Sequence, residues 1–162
     1  MRPRWSILLL IALLIPLPVG ATTEFHGKVI AIIDGDTIEV LHNKTTERIR
    51  LNGIDCPEKR QAFGTRAKQA TSSLGFGQMV TVHRTGKDRF GRTLATIILS
   101  DGRNLNHELV KEGWCWWYRK YAPDYATLQA LEAEARQAKK GLWVDDNPVP
   151  PWAWRKQGKR SR

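Results

Sequence analysis

Three short clusters of charged and polar residues could do chemistry in this 162-residue chain. They are Asp34-Gly35-Asp36-Thr37, Arg50 followed by Asp55-Cys56-Pro57-Glu58, and Asp88-Arg89-Phe90-Gly91-Arg92. Together they contain oxygen ligands for a hard divalent cation, a further carboxylate and several guanidinium groups. A metal-assisted attack on a phosphodiester requires this set of groups.

A divalent cation could be held where the first two clusters meet. Asp36 and Asp55 each lie at the end of an expected strand, so one sheet could bring both carboxylates to a single point. The backbone carbonyl of Cys56 is a candidate third ligand because Pro57 restricts the chain there. Taken singly, more ordinary interpretations compete: a hairpin turn that contains Asp36, and a carboxylate at Asp55 that only comes shortly before a proline.

Three further residues fit the remaining roles. Glu58 is the candidate general base, since a carboxylate beside a bound cation can orient or deprotonate a water molecule. Arg50 and Arg92 are the candidate phosphate clamp, because a planar guanidinium group can donate two hydrogen bonds to phosphoryl oxygens. Each also has an ordinary interpretation: Glu after Pro is typical of a first helical turn, and arginine is usually a solvated surface charge.

The N-terminus has the features of a secretory leader. Arg2 and Arg4 precede an almost wholly apolar stretch from residue 7 to residue 19, and small residues follow up to Ala21. The stretch is too short to span a bilayer and contains two prolines. We therefore expect a signal peptide over residues 1–21, cleavage near Ala21, a secreted or periplasmic protein and no stable membrane span after processing.

The net charge limits the class of binding partner, and the length limits the number of domains. The formal net charge is +10, and it stays at +8 when the leader with its two arginines is removed. A strongly basic protein favours polyanionic partners, meaning nucleic acid, anionic lipid or acidic polysaccharide. The remaining length of about 140 residues is typical of one domain with one core, and we expect a monomer.

The hydrophobic pattern predicts an α+β fold that is mainly β. Strands are expected at residues 29–33, 37–41, 49–54, 79–83 and 94–99, with a further short one at 114–118. Helices are expected at residues 59–74, from Asn104 to Gly113 and from Pro123 to Gly141. This order favours a five-stranded OB-fold barrel with about three helices over residues 22–146. The Pro-rich and then basic tail, residues 147–162, is expected to be partly disordered.

Cys56 and Cys115 are the only cysteines in the sequence. An even number in an exported chain permits one disulfide, and two buried free thiols are equally compatible with the sequence. A zinc site is not favoured, because the four histidines are scattered and no paired Cys/His spacing occurs.

The order of the motifs resembles that of the thermonuclease family, the staphylococcal-nuclease-like proteins. The shared motifs are DGDT at 34–37, RLNGIDCPE at 50–58, DRFGR at 88–92, WCWWYRKY at 114–121 and PPWAWR at 150–155. The resemblance covers about residues 28–154. Each motif is weak alone, but their fixed order and matching chemistry are highly specific.

The resemblance implies an OB-fold barrel and a calcium-dependent phosphodiesterase that acts on DNA and RNA. Such an enzyme cleaves the bond between phosphorus and the 5′-oxygen and leaves 3′-phosphates. The implied roles coincide with those argued from the residues: calcium ligands, phosphate-binding arginines and a general base, namely Asp36, Asp55 and the Cys56 carbonyl, then Arg50 and Arg92, then Glu58.

Four further residues are candidate substrate contacts. Tyr118 and Tyr121 lie where the family places nucleotide-contacting tyrosines, although only Tyr121 matches well by spacing, and bases of any sequence can stack on aromatic rings. The alternative for Tyr118 is a place in the sheet core beside the neighbouring tryptophans. Lys87, Arg89 and the basic tail are expected to contact the nucleic-acid backbone without sequence preference.

Two departures from the family pattern bear on the chemistry. Cys56 replaces a threonine of the staphylococcal type, which is tolerable if only the carbonyl binds metal. The loop after Glu58 is shorter, which leaves the rate and the product preference open. The rival interpretations are a non-catalytic nucleic-acid-binding OB-fold module and an exported protein that binds surface polyanions. The intact charged set favours catalysis.

Overall fold

The computed structural model describes residues 24–160, with side chains described up to residue 158, so the expected leader over residues 1–21 lies outside it. The strands are β1 (Glu24–Asp34), β2 (Thr37–His42), β3 (Thr45–Leu51), β4 (Ile54–Asp55), β5 (Met79–Lys87), β6 (Thr93–Ile98) and β7 (Trp116–Trp117). The helices are α1 (Gly64–Gly75), α2 (Leu105–Lys111), α3 (Ala126–Gln137) and α4 (Pro151–Arg160), with a 3-10 turn at Gly141–Val144. Within residues 24–160, no helix has the length and apolar composition needed to cross a lipid bilayer.

Five strands close into a barrel in the order β1-β2-β3-β6-β5. The β3–β6 pair is parallel and the other pairs are antiparallel. Alternate side chains of these strands fill the interior, where α1, α2 and α3 also contribute: Val29, Ile38, Val40, Ile49, Val82, Ile97, Ala67, Leu105, Leu109 and Leu128. The prediction of a mainly β, five-stranded OB-type barrel is confirmed.

The barrel ends bring distant parts of the sequence together. Thr37 pairs with Arg50 between β2 and β3, and the Leu51 amide donates to the Asp36 carbonyl at 2.8 Å. The turn that carries Asp36 therefore lies beside the end of β3. β4 leaves the barrel and pairs with β7, so that Asp55 lies opposite Trp116.

A disulfide between Cys56 and Cys115 fastens this region. It joins residues 59 positions apart, linking the end of β4 to the segment before β7. A Cβ atom at Gly35 would lie only 2.7 Å from the Cys56 Cβ, so the turn before β2 can approach the disulfide only because residue 35 is glycine. Of the two cysteine states compatible with the sequence, the structure has the oxidised one.

The first helix begins later than the sequence pattern predicts, at Gly64 and not near Lys59. After Glu58 the chain makes tight turns, in which the Gln61 amide donates to the Glu58 carbonyl at 2.8 Å. Phe63 then takes a left-handed conformation with φ of 66°. A Cβ at Gly64 would collide with the Glu58 carbonyl oxygen, so this close packing depends on glycine.

The expectation of a partly disordered tail is wrong for its described part. Residues 151–160 form α4, which brings the α-helices described to four, one more than predicted. Pro151 occupies the first helical position, where proline is favoured. Trp152 stacks on Tyr118 with ring centroids 5.4 Å apart and packs edge-on against Trp116. The basic composition suggested disorder, but these aromatic contacts supply the burial that holds the helix.

Candidate active site

Asp36 and Asp55 converge on a single point at the end of the barrel. Arg50 Nη2 lies 3.1 Å from Asp36 Oδ2 and 3.0 Å from Asp55 Oδ1. Both carboxylates are buried, although they are 19 positions apart in the sequence. The convergence expected from the strand ends is therefore present.

Burial acts strongly on Asp36. It raises the pKa of the Asp36 carboxyl from 3.8 to about 7, although the nearby Arg50 charge opposes the rise. Asp34 and Asp55 add to the increase, while a hydrogen bond donated by the Cys56 amide to Asp36 Oδ2 at 2.7 Å opposes it. Two buried carboxylates that repel each other form a site that gains stability when a cation binds.

Arg50 is fixed by the backbone as well as by carboxylates. Its Nη1 donates to the carbonyls of Leu51 at 3.0 Å and Ile54 at 2.9 Å. Only 12% of its side chain is exposed. The guanidinium group is therefore held rigidly at the start of β4, with one edge turned to the two aspartates.

Glu58 and Asp55 meet through an arginine that the sequence interpretation did not place in the site. Arg155 on α4 binds Asp55 Oδ2 through Nη2 at 2.7 Å. Its Nη1 lies 2.6 Å from Glu58 Oε1 and 3.2 Å from Asp55 Oδ1. Burial alone would lower the pKa of Arg155, but the hydrogen bonds to Asp55 and Glu58 outweigh it and raise that pKa.

The signal that could have located Arg155 is the aromatic spacing of the tail. Trp152 and Trp154 lie within three residues of Arg155 in a segment that otherwise reads as solvated and basic. Tryptophans in a tail indicate docking on the domain. The partner surface, which contains Tyr118, lies more than thirty positions earlier in the chain.

Among the described residues, Arg92 forms no ion pair with the carboxylates of the site, those of Asp36, Asp55 and Glu58. Its Nε donates to Asp88 Oδ2 at 2.7 Å inside the β5–β6 hairpin. Burial alone would raise the pKa of Asp88, but hydrogen bonds from Arg92 and from the Phe90 amide lower it. Arg92 nevertheless comes directly before β6, which runs parallel to β3 with Leu94 beside Arg50.

The four candidate substrate contacts fall into two places. Tyr118 stacks on Trp152 and meets Tyr121 edge-on at 4.8 Å, and Tyr121 is 63% exposed. Burial raises the pKa of Tyr118, and the negative charge of Asp55 adds to this. Lys87 and Arg89 are exposed on the β5–β6 hairpin.

The residues present fit a hard divalent cation. Within the described part of the chain, no three or more His, Cys, Asp or Glu side chains form a ready-made ligand cluster. Asp36 and Asp55 supply two carboxylates at one point, and Cys56 adds its backbone beside Asp36. Such ions accept backbone carbonyls and water alongside a few carboxylates.

Comparison with known proteins shows which family this chain belongs to. The family profile described as Staphylococcal nuclease homologue matches residues 48–145. The chain belongs to the staphylococcal nuclease family. It is 42% identical over 159 residues to a Shigella flexneri protein named Micrococcal nuclease, with 93% of this chain and 91% of that protein covered. It is 46% identical over 132 residues to an Escherichia coli O157:H7 protein named Uncharacterized endonuclease, with 82% and 86% covered.

Membership of the staphylococcal nuclease family confirms the resemblance seen in the motif order. It also confirms the expectation that the chain is a phosphodiester hydrolase, a nuclease. The range matched by the staphylococcal nuclease profile contains Arg50, Asp55, Glu58 and Arg92. The matched range begins after Asp36 and ends before α4, so Asp36 and Arg155 both lie outside it.

Proposed function

We propose that this protein is a calcium-dependent nuclease that hydrolyses DNA and RNA without preference for the sugar. It cleaves the bond between phosphorus and the 5′-oxygen and leaves 3′-phosphates. The observation that carries the proposal is that three carboxylates, those of Asp36, Asp55 and Glu58, meet around the guanidinium groups of Arg50 and Arg155. Family membership supports the reaction class, and the chemistry of the site supports the details.

Asp36, Asp55 and the carbonyl of Cys56 would hold the calcium ion. Calcium takes several oxygen ligands with flexible geometry, so two carboxylates and a carbonyl leave room for water and a phosphoryl oxygen. When bound, the ion supplies charge neutralisation at the phosphate and a coordination position for water. Asp36 then remains ionised despite its burial.

Arg50 would bind the scissile phosphate. The fork of its guanidinium group can donate paired hydrogen bonds, which suits oxygens that gain negative charge in the transition state. Arg92 would join it from the start of β6, beside β3. In this structure Arg92 pairs with Asp88 through its Nε.

Glu58 would act as the general base. Its side chain is 40% exposed, so water can reach it, and its Oε1 is held by Arg155 near Asp55. A carboxylate in this position can orient a water molecule for attack and accept its proton. The turns before α1 fix the backbone of Glu58 against Gly64.

The protein is further proposed to act as a secreted or periplasmic monomer. The Cys56–Cys115 disulfide supports an oxidising compartment, where such bonds persist. Mass spectrometry of protein from cell fractions tests export and leader cleavage together. A mature chain that begins close after Ala21 is expected outside the cytoplasm, and an intact chain confined to the cytoplasm would contradict the proposal.

Digestion of single-stranded DNA, duplex DNA and RNA tests the activity directly. Each substrate is incubated with purified mature protein in calcium, in magnesium and in chelator. We expect cleavage of DNA and RNA with calcium and none with chelator. Equal rates with calcium and chelator would rule out the calcium dependence, and binding without cleavage in every lane would favour the non-catalytic module.

The role of Glu58 is tested with a matched pair of variants. Glu58→Gln keeps the shape but removes the base, and general bases contribute roughly 100- to 10,000-fold to the rate. Glu134→Gln makes the same change at an exposed position on α3. We expect a large fall in kcat only for Glu58→Gln.

Mass analysis of the wild-type products should show 3′-phosphates, and 5′-phosphates would contradict the proposed bond cleavage.

A further inference from the structure

We propose that Arg155 and Gln61 are positioning residues that hold Glu58 in place for its role as general base. Arg155 lies on α4, and Gln61 lies in the turn between Glu58 and α1. Together with the carbonyl of Val149, these two side chains are named the Glu58 clamp. The inference rests on the proposed nuclease function, and it gives the C-terminal segment a part in that reaction.

Arg155 holds one oxygen of the Glu58 carboxylate and leaves the other to solvent. Its Nη1 donates to Glu58 Oε1 at 2.6 Å, and its two hydrogen bonds to Asp55 do not involve Glu58 Oε2. The Glu58 side chain is 40% exposed, so a water molecule can reach it. This arrangement suits a general base, because the base must lie within hydrogen-bond reach of the proton that it accepts.

Gln61 ties the backbone of Glu58 to the same C-terminal segment. The Glu58 amide donates to Gln61 Oε1 at 3.1 Å, and Gln61 Nε2 donates to the Val149 carbonyl at 2.5 Å. Gln61 is buried, and a buried polar group that loses its partner is costly, so both bonds should persist. Val149 lies two positions before α4 begins. The side chain and the backbone of Glu58 are therefore both anchored to one segment of the chain.

The docking of α4 on the barrel has a basis other than Arg155. Trp152 stacks on Tyr118 and packs edge-on against Trp116, which buries apolar surface of the helix. The Arg155 side chain is 40% exposed, and ion pairs open to solvent contribute little to stability. A role in the site therefore explains the position of Arg155 between two carboxylates better than a role in folding.

The contacts of Arg155 favour positioning of Glu58 over binding of phosphate. Both Nη1 and Nη2 already donate to carboxylate oxygens, so a phosphate at this guanidinium group would have to displace them. Nη1 lies closer to Glu58 Oε1 than to Asp55 Oδ1, at 2.6 Å against 3.2 Å. When the Asp55 oxygens serve a cation, Nη1 can keep its bond to Glu58. Loss of Arg155 should therefore lower kcat and leave KM unchanged.

Steady-state kinetics of Arg155→Met test the proposal, with a thymidine pentanucleotide as substrate and saturating calcium. Misplacement of a reacting group by about 1 Å can cost roughly 100-fold, so we expect kcat to fall roughly 10- to 100-fold while KM stays within about twofold of the wild-type value. Arg103→Met is the matched control, because Arg103 also bridges two carboxylates, Asp101 and Glu108, with 47% of its side chain exposed. The control should keep the wild-type kcat.

A double-mutant cycle shows whether Arg155 acts through Glu58. In the Glu58→Gln background, Arg155→Met should change the residual kcat by less than about twofold, because the base that it positions is already absent. An equal fall in kcat in the two backgrounds would overturn the proposal. Equal kcat values for Arg155→Met and Arg103→Met would also overturn it. A rise in KM with an unchanged kcat would assign Arg155 to substrate binding instead.

Gln61→Met tests the second anchor, because it keeps the side-chain length and removes both side-chain hydrogen bonds. We expect a severalfold fall in kcat and faster hydrogen exchange in residues 149–158, measured by mass spectrometry. Gln78→Met is the matched control, since the Gln78 side chain also bonds a backbone carbonyl, that of Leu74, and the hydroxyl of Ser100. Equal kcat and equal exchange in the two variants would overturn the assignment of Gln61. The Arg155 comparisons do not depend on whether this buried variant folds.

The wild type and Glu58→Gln separate failure of the Glu58 clamp from failure of the proposed function. If the wild type does not hydrolyse the pentanucleotide with calcium, the proposed function fails. If Glu58→Gln keeps the wild-type kcat, the proposed base fails. If the wild type is active, Glu58→Gln is slow and Arg155→Met has the kcat of the Arg103→Met control, only the Glu58 clamp fails.

Discussion

Arg50 and Arg155 bind the same carboxylate, Asp55, but belong to very different parts of the molecule. Arg50 lies on β3 within the barrel, where two backbone carbonyls and two aspartates hold its guanidinium group. Arg155 arrives from α4, 100 positions after Asp55, and its side chain remains 40% exposed. One guanidinium group is part of the barrel end, and the other is delivered by a docked helix.

Because of this difference, the two arginines should contribute unequally to the stability of the fold. Removal of Arg50 would leave two buried carboxylates facing each other, which is costly because buried charges require partners. Removal of Arg155 would leave Asp55 still paired with Arg50 and Glu58 in contact with water. We therefore expect Arg50 to support both structure and chemistry, and Arg155 to modulate the site.

The largest effect is expected when each arginine is replaced by alanine. In chelator, Arg50→Ala should lower the free energy of unfolding by about 3–5 kcal/mol, the usual cost of leaving a buried charge unpaired. Arg155→Ala should lower it by less than about 1 kcal/mol, because the ion pair is partly exposed. Urea denaturation measures both, and similar losses would remove the distinction between the two arginines.

The pH dependence of stability sharpens the role of the barrel end. Because the folded pKa of Asp36 is raised to about 7 from 3.8, the folded state binds its proton more tightly than the unfolded state does. This contribution to stability is full below about pH 4 and is lost as the pH rises through 7. Its size is on the order of a few kcal/mol.

Asp36→Asn should flatten that dependence in chelator and make the protein more stable than the wild type at pH 8. Urea denaturation at several pH values gives the comparison. Asp101→Asn, at an exposed carboxyl whose pKa is lowered by its hydrogen bond with Arg103, serves as the control. If the wild type and Asp36→Asn show the same change in stability between pH 5 and pH 8, the raised pKa of Asp36 is contradicted.

A smaller effect is expected on calcium binding when Arg155 is removed. Arg155 occupies oxygens of Asp55 and Glu58, so a cation at Asp55 competes with it. Arg155→Met should therefore tighten calcium binding roughly fivefold, since a partly exposed ion pair is worth about 1 kcal/mol. Isothermal titration calorimetry measures this, with Arg103→Met as a surface control. Weaker binding in Arg155→Met would mean that Arg155 supports the cation site.

The local parts of the site could be predicted from the sequence. Asp36 directly precedes β2 and Asp55 lies shortly after β3, and the pairing of β2 with β3 brings these two segments together. Arg50 lies on β3 shortly before Asp55, so its place follows from the same strand pattern. The roles assigned to these residues remain proposals, but their convergence required only alternation, turns and barrel closure.

The features that could not be predicted from the sequence depend mainly on contacts made in the folded chain. Arg155 reaches the site because Trp152 stacks on Tyr118. The composition of the tail does not reveal this contact. The late start of α1 depends on the close approach of Gly64 to the Glu58 carbonyl, which helical periodicity does not reveal. The ion pair between Arg92 and Asp88, four positions earlier in the same hairpin, was also not predicted.

The disulfide carries a consequence for the cell that makes this protein. Cys56 donates its amide to Asp36 while its sulfur is tied to Cys115, so reduction would loosen the backbone beside the proposed ion site. Cytosolic glutathione and thioredoxin keep thiols reduced. With the proposed export, a newly made chain would be poorly active in the cytosol beside the DNA and RNA of its producer, and would become active once it reaches an oxidising compartment.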